Sequence, residues 1–190
     1  KLNLLDDKPF SDRLKPELLR WGEERWNDGW QVIRHDVART ETGPNVKALI
    51  VADYNNDPQN TTGLLIFGHV PVPYSGFINP DGHGDHIGAW PADVYYGEFN
   101  GDWTDVKNGP TSGIRPINAN IAGDGKFDIS ALSELGSTVD LMIGRVELYD
   151  MPNCSKSEKD LLKQYLNKDR AFRTGQLKSP KKHTLEASCW

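Results

Sequence analysis

Two short apolar runs constrain this chain more than any other feature: Gly63-Leu-Leu-Ile-Phe-Gly68, followed by His69, and Asp140-Leu-Met-Ile-Gly144, followed by Arg145. Each empties into glycine plus a polar residue, the pattern of a buried strand passing into a loop. Ahead of the first run, Leu2–Leu5 reads as the tail of a strand, and Pro16 suits the first turn of a helix over 16–27. That helix carries Leu18, Leu19, Trp21 and Trp26 among charges, and Asn27-Asp-Gly29 stops it. Residues 30–35, Trp-Gln-Val-Ile-Arg-His, are rich in strand formers. Residues 45–55 could pass as a strand through Ala48-Leu-Ile-Val-Ala52. Pro44 at a first turn and the spacing of Val46, Leu49, Ile50, Asp53 and Tyr54 select a helix instead. The result is β-α-β-α-β within about seventy residues, which calls for parallel strands and right-handed crossovers.

The expected fold is α/β: a mainly parallel open sheet of residues near 2–5, 30–35, 63–68 and 139–144, with helices on both faces. The 2–5 strand is expected between the second and third, and functional groups at the carboxyl ends of the strands. Residues 71–138 form a long Pro/Gly-rich insertion with little periodicity. A stretch that long is functional or holds short local strands, and Val94-Tyr-Tyr96 is the expected one. A helix over 157–172 follows, with Ser155-x-x-Glu158 as a capping box and Leu161, Leu162, Tyr165, Leu166 and Phe172 as one apolar face.

With 190 residues the chain can bury one good core, so residues 1–175 read as one unit and 176–190 as a truncated basic tail. The chain reads as a fragment of a longer protein. Its 22 basic and 27 acidic residues leave a net charge of −5, which argues against a nucleic-acid partner, since phosphate binding needs a concentrated basic patch. The only basic cluster is Lys178, Lys181 and Lys182. No apolar run is long enough to span a membrane. Cys154 and Cys189 allow at most one disulfide and match no metal spacing.

Three constellations could carry chemistry. Asp81-Gly-His-Gly-Asp-His86 resembles part of a zinc-hydrolase motif, making His83, Asp85 and His86 candidate ligands for a metal-dependent hydrolase. Asp81 stands where that motif has its first histidine, however, and two prolines separate the loop from its strand; the alternative is a polar loop bonded to its own backbone. Gly123-Asp-Gly-Lys-Phe-Asp128 resembles a calcium loop, with Asn120, Asp124 and Asp128 as candidate ligands for a structural calcium. The third and twelfth loop positions fall on Ala122 and Ala131, and the competing reading is a tight Asp-Gly turn. His69 at a strand end could line a cleft or cap the loop, and Asp93 is a second cleft candidate. Arg145 reads as architectural, an always-charged fork of five donors able to tie several loop carbonyls together.

Taken in order, Gly68-His69, Asp93-Val-Tyr-Tyr-Gly97, Ile143-Gly-Arg145 and the helix leading to Tyr165 resemble the first half of the gingipain-type cysteine peptidase domain, peptidase family C25. The Gly-His-Val-Pro-Val-Pro, Ala-Trp-Pro-Ala-Asp and Gly-Asp-Gly-Lys-Phe-Asp stretches resemble a large bacterial branch of related proteins, and the likeness runs from Leu2 to about Arg173. The resemblance implies a caspase- and flavodoxin-like half-domain, an extracellular or cell-surface bacterial protein, and thiol proteolysis of protein or peptide substrates by a histidine–cysteine dyad. It requires no cofactor. The family's catalytic Gly-His-Gly follows the Gly-Arg strand, whereas Gly82-His-Gly84 precedes it, so no catalytic role passes to His83. No catalytic residue is therefore expected in this chain, and the activity would belong to a longer parent with a C-terminal half-domain. The alternative is a non-catalytic binding or assembly module of the same fold.

Overall fold

The structure is a computed structural model that describes residues 1–79, 82–109 and 115–178. Four parallel strands form its sheet: β1 (Leu2–Asp7), β2 (Val32–Val37), β3 (Gly63–Phe67) and β6 (Met142–Val146), in the order β2-β1-β3-β6. A small antiparallel ribbon, β4 (Tyr74–Ser75) with β5 (Trp90–Pro91), stands apart from it. The helices are α1 (Lys8–Ser11), α2 (Lys15–Asn27), α3 (Gly43–Asn56) and α4 (Glu158–Arg173). The expected parallel sheet, with the first strand between the second and third, is present. No helix among the described residues is long and apolar enough to cross a membrane.

Alternation along β1 explains the two-sided core. Leu5 faces α3, packing with Val46, Ile50, Leu64 and Ile66, whereas Leu4 faces α1, α2 and α4, packing with Phe10, Leu18, Trp21, Leu162 and Leu166. A strand covered on both faces must be apolar on both, which is why Leu4 and Leu5 stand side by side. Residues 45–55 are helical: Thr42 caps α3, its hydroxyl accepting the Asn45 N–H, and Pro44 occupies the first turn.

Several boundaries differ from the sequence reading, each for a local reason. β2 begins at Val32 rather than residue 30, because α2 ends in a Schellman motif. Gly29 at φ +88 lets its own N–H reach the Trp26 carbonyl and the Trp30 N–H the Arg25 carbonyl. Asp93–Tyr96 is a 3-10 turn, not a strand. Tyr95 and Tyr96 are adjacent and both buried in the α3-facing core, which a strand, pointing them to opposite faces, would not allow. The α4 cap is Ser157, whose hydroxyl accepts the Asp160 N–H, two residues later than the Ser155 box. Phe172 is 60% exposed and Tyr165 is also exposed, so Leu162 and Leu166 carry the buried face. Likewise Leu19 and Trp26 lie outside the core, leaving Leu18 and Trp21 as the buried apolar side chains of α2. Beyond Leu166, α4 is joined to α2 by polar links instead: Arg25–Asp169, Arg170–Glu24 and Arg173–Asp28.

Asp6 is the costly residue of β1. It is almost fully buried; Arg34 Nε donates to one carboxylate oxygen, and the other finds no hydrogen-bond partner. Burial raises its carboxyl from an ordinary 3.8 to about 6, against the opposing pull of Arg34. The folded chain therefore binds this proton more tightly than the unfolded one. The stabilisation is complete below about pH 4 and lost as pH rises through about 6. Between those limits the unsubstituted chain should lose on the order of 3 kcal/mol relative to Asp6→Asn, measured by urea unfolding at both ends of the window. Equal pH slopes for the two proteins would contradict this.

Candidate functional site

The strand order reverses between β1 and β3, so the carboxyl ends of those two strands open the crevice where α/β sheets bind ligands. Asp7 ends β1 there with its side chain wholly buried. Arg39, just beyond β2, donates through Nε at 3.1 and 3.0 Å and through Nη2 at 2.5 Å to the Asp7 carboxylate. The His69 N–H adds a third donor group at 3.0 Å. This packing needs glycine at 68: its φ is +87, and a Cβ there would lie 2.5 Å from the Asp7 Cβ. Arg39 also reaches Glu158, in the first turn of α4, at 2.9 Å, and its guanidinium lies over the rings of Phe10 and Tyr149. The bond to Asp7 is the main cause that drives the Arg39 pKa upward, so this cation is fixed.

Arg145 organises the neighbouring corner. Its Nε and Nη2 grip both oxygens of Asp93 at 2.7 and 2.8 Å, while Nη1 and Nη2 donate to the carbonyls of Val70 and Pro71 at 2.8 and 3.2 Å. The architectural role expected of Arg145 is what the structure displays. Asp93 is accordingly the counter-ion that seats the 93–96 turn on the loop after β3. The buried Tyr96 hydroxyl donates to the same Pro71 carbonyl at 2.8 Å, and burial drives its pKa upward.

His69 sits between these two ion pairs. Its Nδ1 is 3.2 Å from Glu147 Oε1, its ring stacks on Tyr149 at 4.0 Å, and its side chain is 35% exposed. Glu147 is itself held by Arg145 at 3.3 Å and by the Tyr149 N–H at 3.2 Å. A carboxylate-held imidazole open on its other side can take up or deliver a proton. Covalent catalysis by such a pair also requires a nucleophile within its reach. Cys154 lies between β6 and α4, half-buried, and its thiol hydrogen-bonds to no imidazole among the described residues. Cys189 and His183 lie outside the described residues, as do Lys181, Lys182 and the rest of the tail beyond 178.

The other candidates fall on the insertion. Gly84–His86 is a 3-10 turn; His86 Nε2 is 4.0 Å from Asp85, and the rings of His83 and His86 meet edge to face at 5.4 Å. Asp81 lies outside the described residues. Asn120, Asp124 and Asp128 each serve a different segment. Asn120 donates to the carbonyls of Gly76 and Phe127 at 3.1 and 2.9 Å. Asp128 accepts from the Thr104 hydroxyl at 2.8 Å and from the N–H groups of Val106 and Lys107. Asp124 pairs with Lys126 at 2.9 Å inside its own turn. Gly123 and Gly125, both at positive φ, donate to Asp105 at 2.8 Å each, the local geometry of an Asp-Gly turn. Among the described residues no three His, Cys, Asp or Glu side chains group as they would around a metal ion.

Asp7, Arg39, Glu147 and Tyr149 were not singled out from sequence, and Glu158 was read only as part of a helix cap. The one available signal was the pair of carboxylates placed directly after Leu4-Leu5, at the end of a buried strand. Comparison of the chain with protein-family models, curated proteins and solved structures gave no match.

Alanine at position 68 would combine left-handed strain of about 1–3 kcal/mol with displacement of Asp7. Gly68→Ala should lower stability by roughly 2–4 kcal/mol in urea unfolding, whereas alanine at Gly82, which meets no atom within 4 Å, should cost only the strain. Equal losses at the two positions would show that the Asp7 contact is unimportant.

Proposed function

We propose that this chain is the N-terminal subdomain of a gingipain-like (family C25) bacterial cysteine endopeptidase of caspase- and flavodoxin-like fold. In this reading it is extracellular or cell-surface, and a further half-domain supplies the catalytic histidine and cysteine. The observation that carries it is the parallel order β2-β1-β3-β6 with a polar cluster over the switch point. Among the described residues β6 pairs on one side only, and its Met142 is 65% exposed, which suits a sheet continued by another half. The chain's own residues then build the floor of the cleft. Arg145 and Asp93 fix the loop after β3, Asp7 and Arg39 fix the backbone of His69, and His69 lines the crevice. Substrates would be proteins or peptides.

A second reading, a non-catalytic binding or assembly module of the same fold, is equally compatible with the parallel sheet. Its strands β1, β2, β3 and β6 end in Asp7, Val37, Phe67 and Val146, with no thiol at these ends.

Purified chain should neither hydrolyse fluorogenic peptides nor be labelled stoichiometrically by a thiol-reactive suicide substrate. The longer protein carrying it should be labelled at a cysteine outside this chain, one preceded by a Gly-His-Gly segment. Labelling of Cys154 that disappears on His69→Gln would overturn the assignment of catalysis to another half. A longer protein that lacks both the cysteine and the Gly-His-Gly would establish the module instead.

A further inference from the structure

A recess opens beside the β4–β5 ribbon, between it and residues 129–132, with a volume of about 240 Å³. Trp90 and Trp103 contribute to its walls, and Ile78 and Leu132, 52% and 38% exposed, are its most exposed large apolar side chains. In a chain with 26% charged residues, no described residue lining it is charged. Its side-chain polar groups are already engaged. The Ser75 hydroxyl donates to the Ile129 carbonyl, the Ser130 hydroxyl accepts the Phe77 N–H, and the two indole N–H groups donate to the His86 carbonyl and to Glu98. Glu98 and Lys47, whose ammonium lies 5.7 Å from the Trp103 ring centroid, touch that tryptophan but do not line the recess.

We propose that this recess is a binding site for one uncharged apolar side chain, aromatic or branched, presented by a peptide. The volume is below the roughly 300–1,000 Å³ of sites that enclose drug-sized ligands, so it suits a single side chain. A charged visitor would lose its hydration and find no counter-charge among the described lining residues. A sugar, rich in hydroxyls, would find the Ser130 O–H as the one side-chain donor not already given to an acceptor. Tryptophan faces reward an apolar or aromatic guest instead. Ile78 and Leu132 offer apolar surface to the residues flanking the inserted one, which favours a peptide over a free small molecule. The site lies on the insertion, connected to the switch-point cluster through Ala92 and Val94, which flank Asp93. It is independent of the peptidase reading, since binding here requires no nucleophile.

The test is titration of the isotope-labelled chain with capped tripeptides Gly-X-Gly, following the indole N–H signals of Trp90 and Trp103 by NMR. Peptides with X = Phe or Leu should shift both signals and bind at least about tenfold more tightly than those with X = Arg or Glu. Ala131→Trp, at an exposed lining position, should fill the recess and weaken the Phe peptide by about tenfold or more while leaving the remaining spectrum folded. Leu132→Asp should do the same by charging the wall. No shift up to the solubility limit, equal binding of the Arg peptide, or binding unchanged in both variants would overturn the proposal. Indole binding as tightly as the Phe peptide would overturn its peptide part.

Discussion

The Arg145 guanidinium is the interaction on which the insertion side of this molecule depends. It stands at the end of an edge strand, yet it holds Asp93, two carbonyls of the loop after β3, and Glu147. Through Asp93 it docks the 93–96 turn, and with that turn Tyr95 and Tyr96, the aromatic floor on which the insertion rests. Through Glu147 it holds the carboxylate that faces His69. A lysine would supply one point charge where a planar fork meets a carboxylate and two carbonyls at once. The insertion has its own local organiser in Glu98, whose buried carboxylate accepts from two backbone N–H groups, the Trp103 indole and the Ser137 hydroxyl. Burial pushes the Glu98 pKa up, and these four bonds pull it further down.

Buried carboxylates follow two different economies in β1. Asp7 is met by a bidentate guanidinium and a backbone N–H, so its buried charge is paired and hydrogen-bonded. Asp6, its neighbour, has a single arginine contact and one oxygen with no partner. A buried charge is stabilising only when its remaining lone pairs are satisfied. The satisfied carboxylate lies at the switch point, and the unsatisfied one meets Arg34, which also donates to Ser11.

Much of the fold was legible because the deciding signals were local. Pro44 and the spacing of Val46 and Ile50 made α3 a helix, and the doublet Leu4-Leu5 made β1 a strand covered on both sides. The role of Arg145 could be inferred from its chemistry and its place after a buried run. The insertion was less legible because long-range needs shape it. Tyr95 and Tyr96 turn tightly because both must reach one core, and Asp128 is spent on residues 104–107, more than twenty positions away. The polar cluster was largely hidden for the same reason. Asp7, Arg39, His69 and Glu158 meet only when three crossovers are in place, and no spacing within any one segment shows it.

The all-parallel sheet also sets an order of assembly. β1 pairs with strands about thirty and sixty residues away, whereas β3 meets β6 across about eighty residues, most of them insertion. Loop-closure entropy grows only with the logarithm of length, so the longest crossover costs roughly 1 kcal/mol more than the shortest. The thermodynamic penalty of the insertion is therefore small, but the kinetic consequence is not, since long-range pairings form late. β6 should dock last and open first, taking Arg145 with it. The cleft would then lose its architecture in a partial opening that leaves β1, β2 and β3 paired, so its lifetime is set by one edge strand rather than by the core.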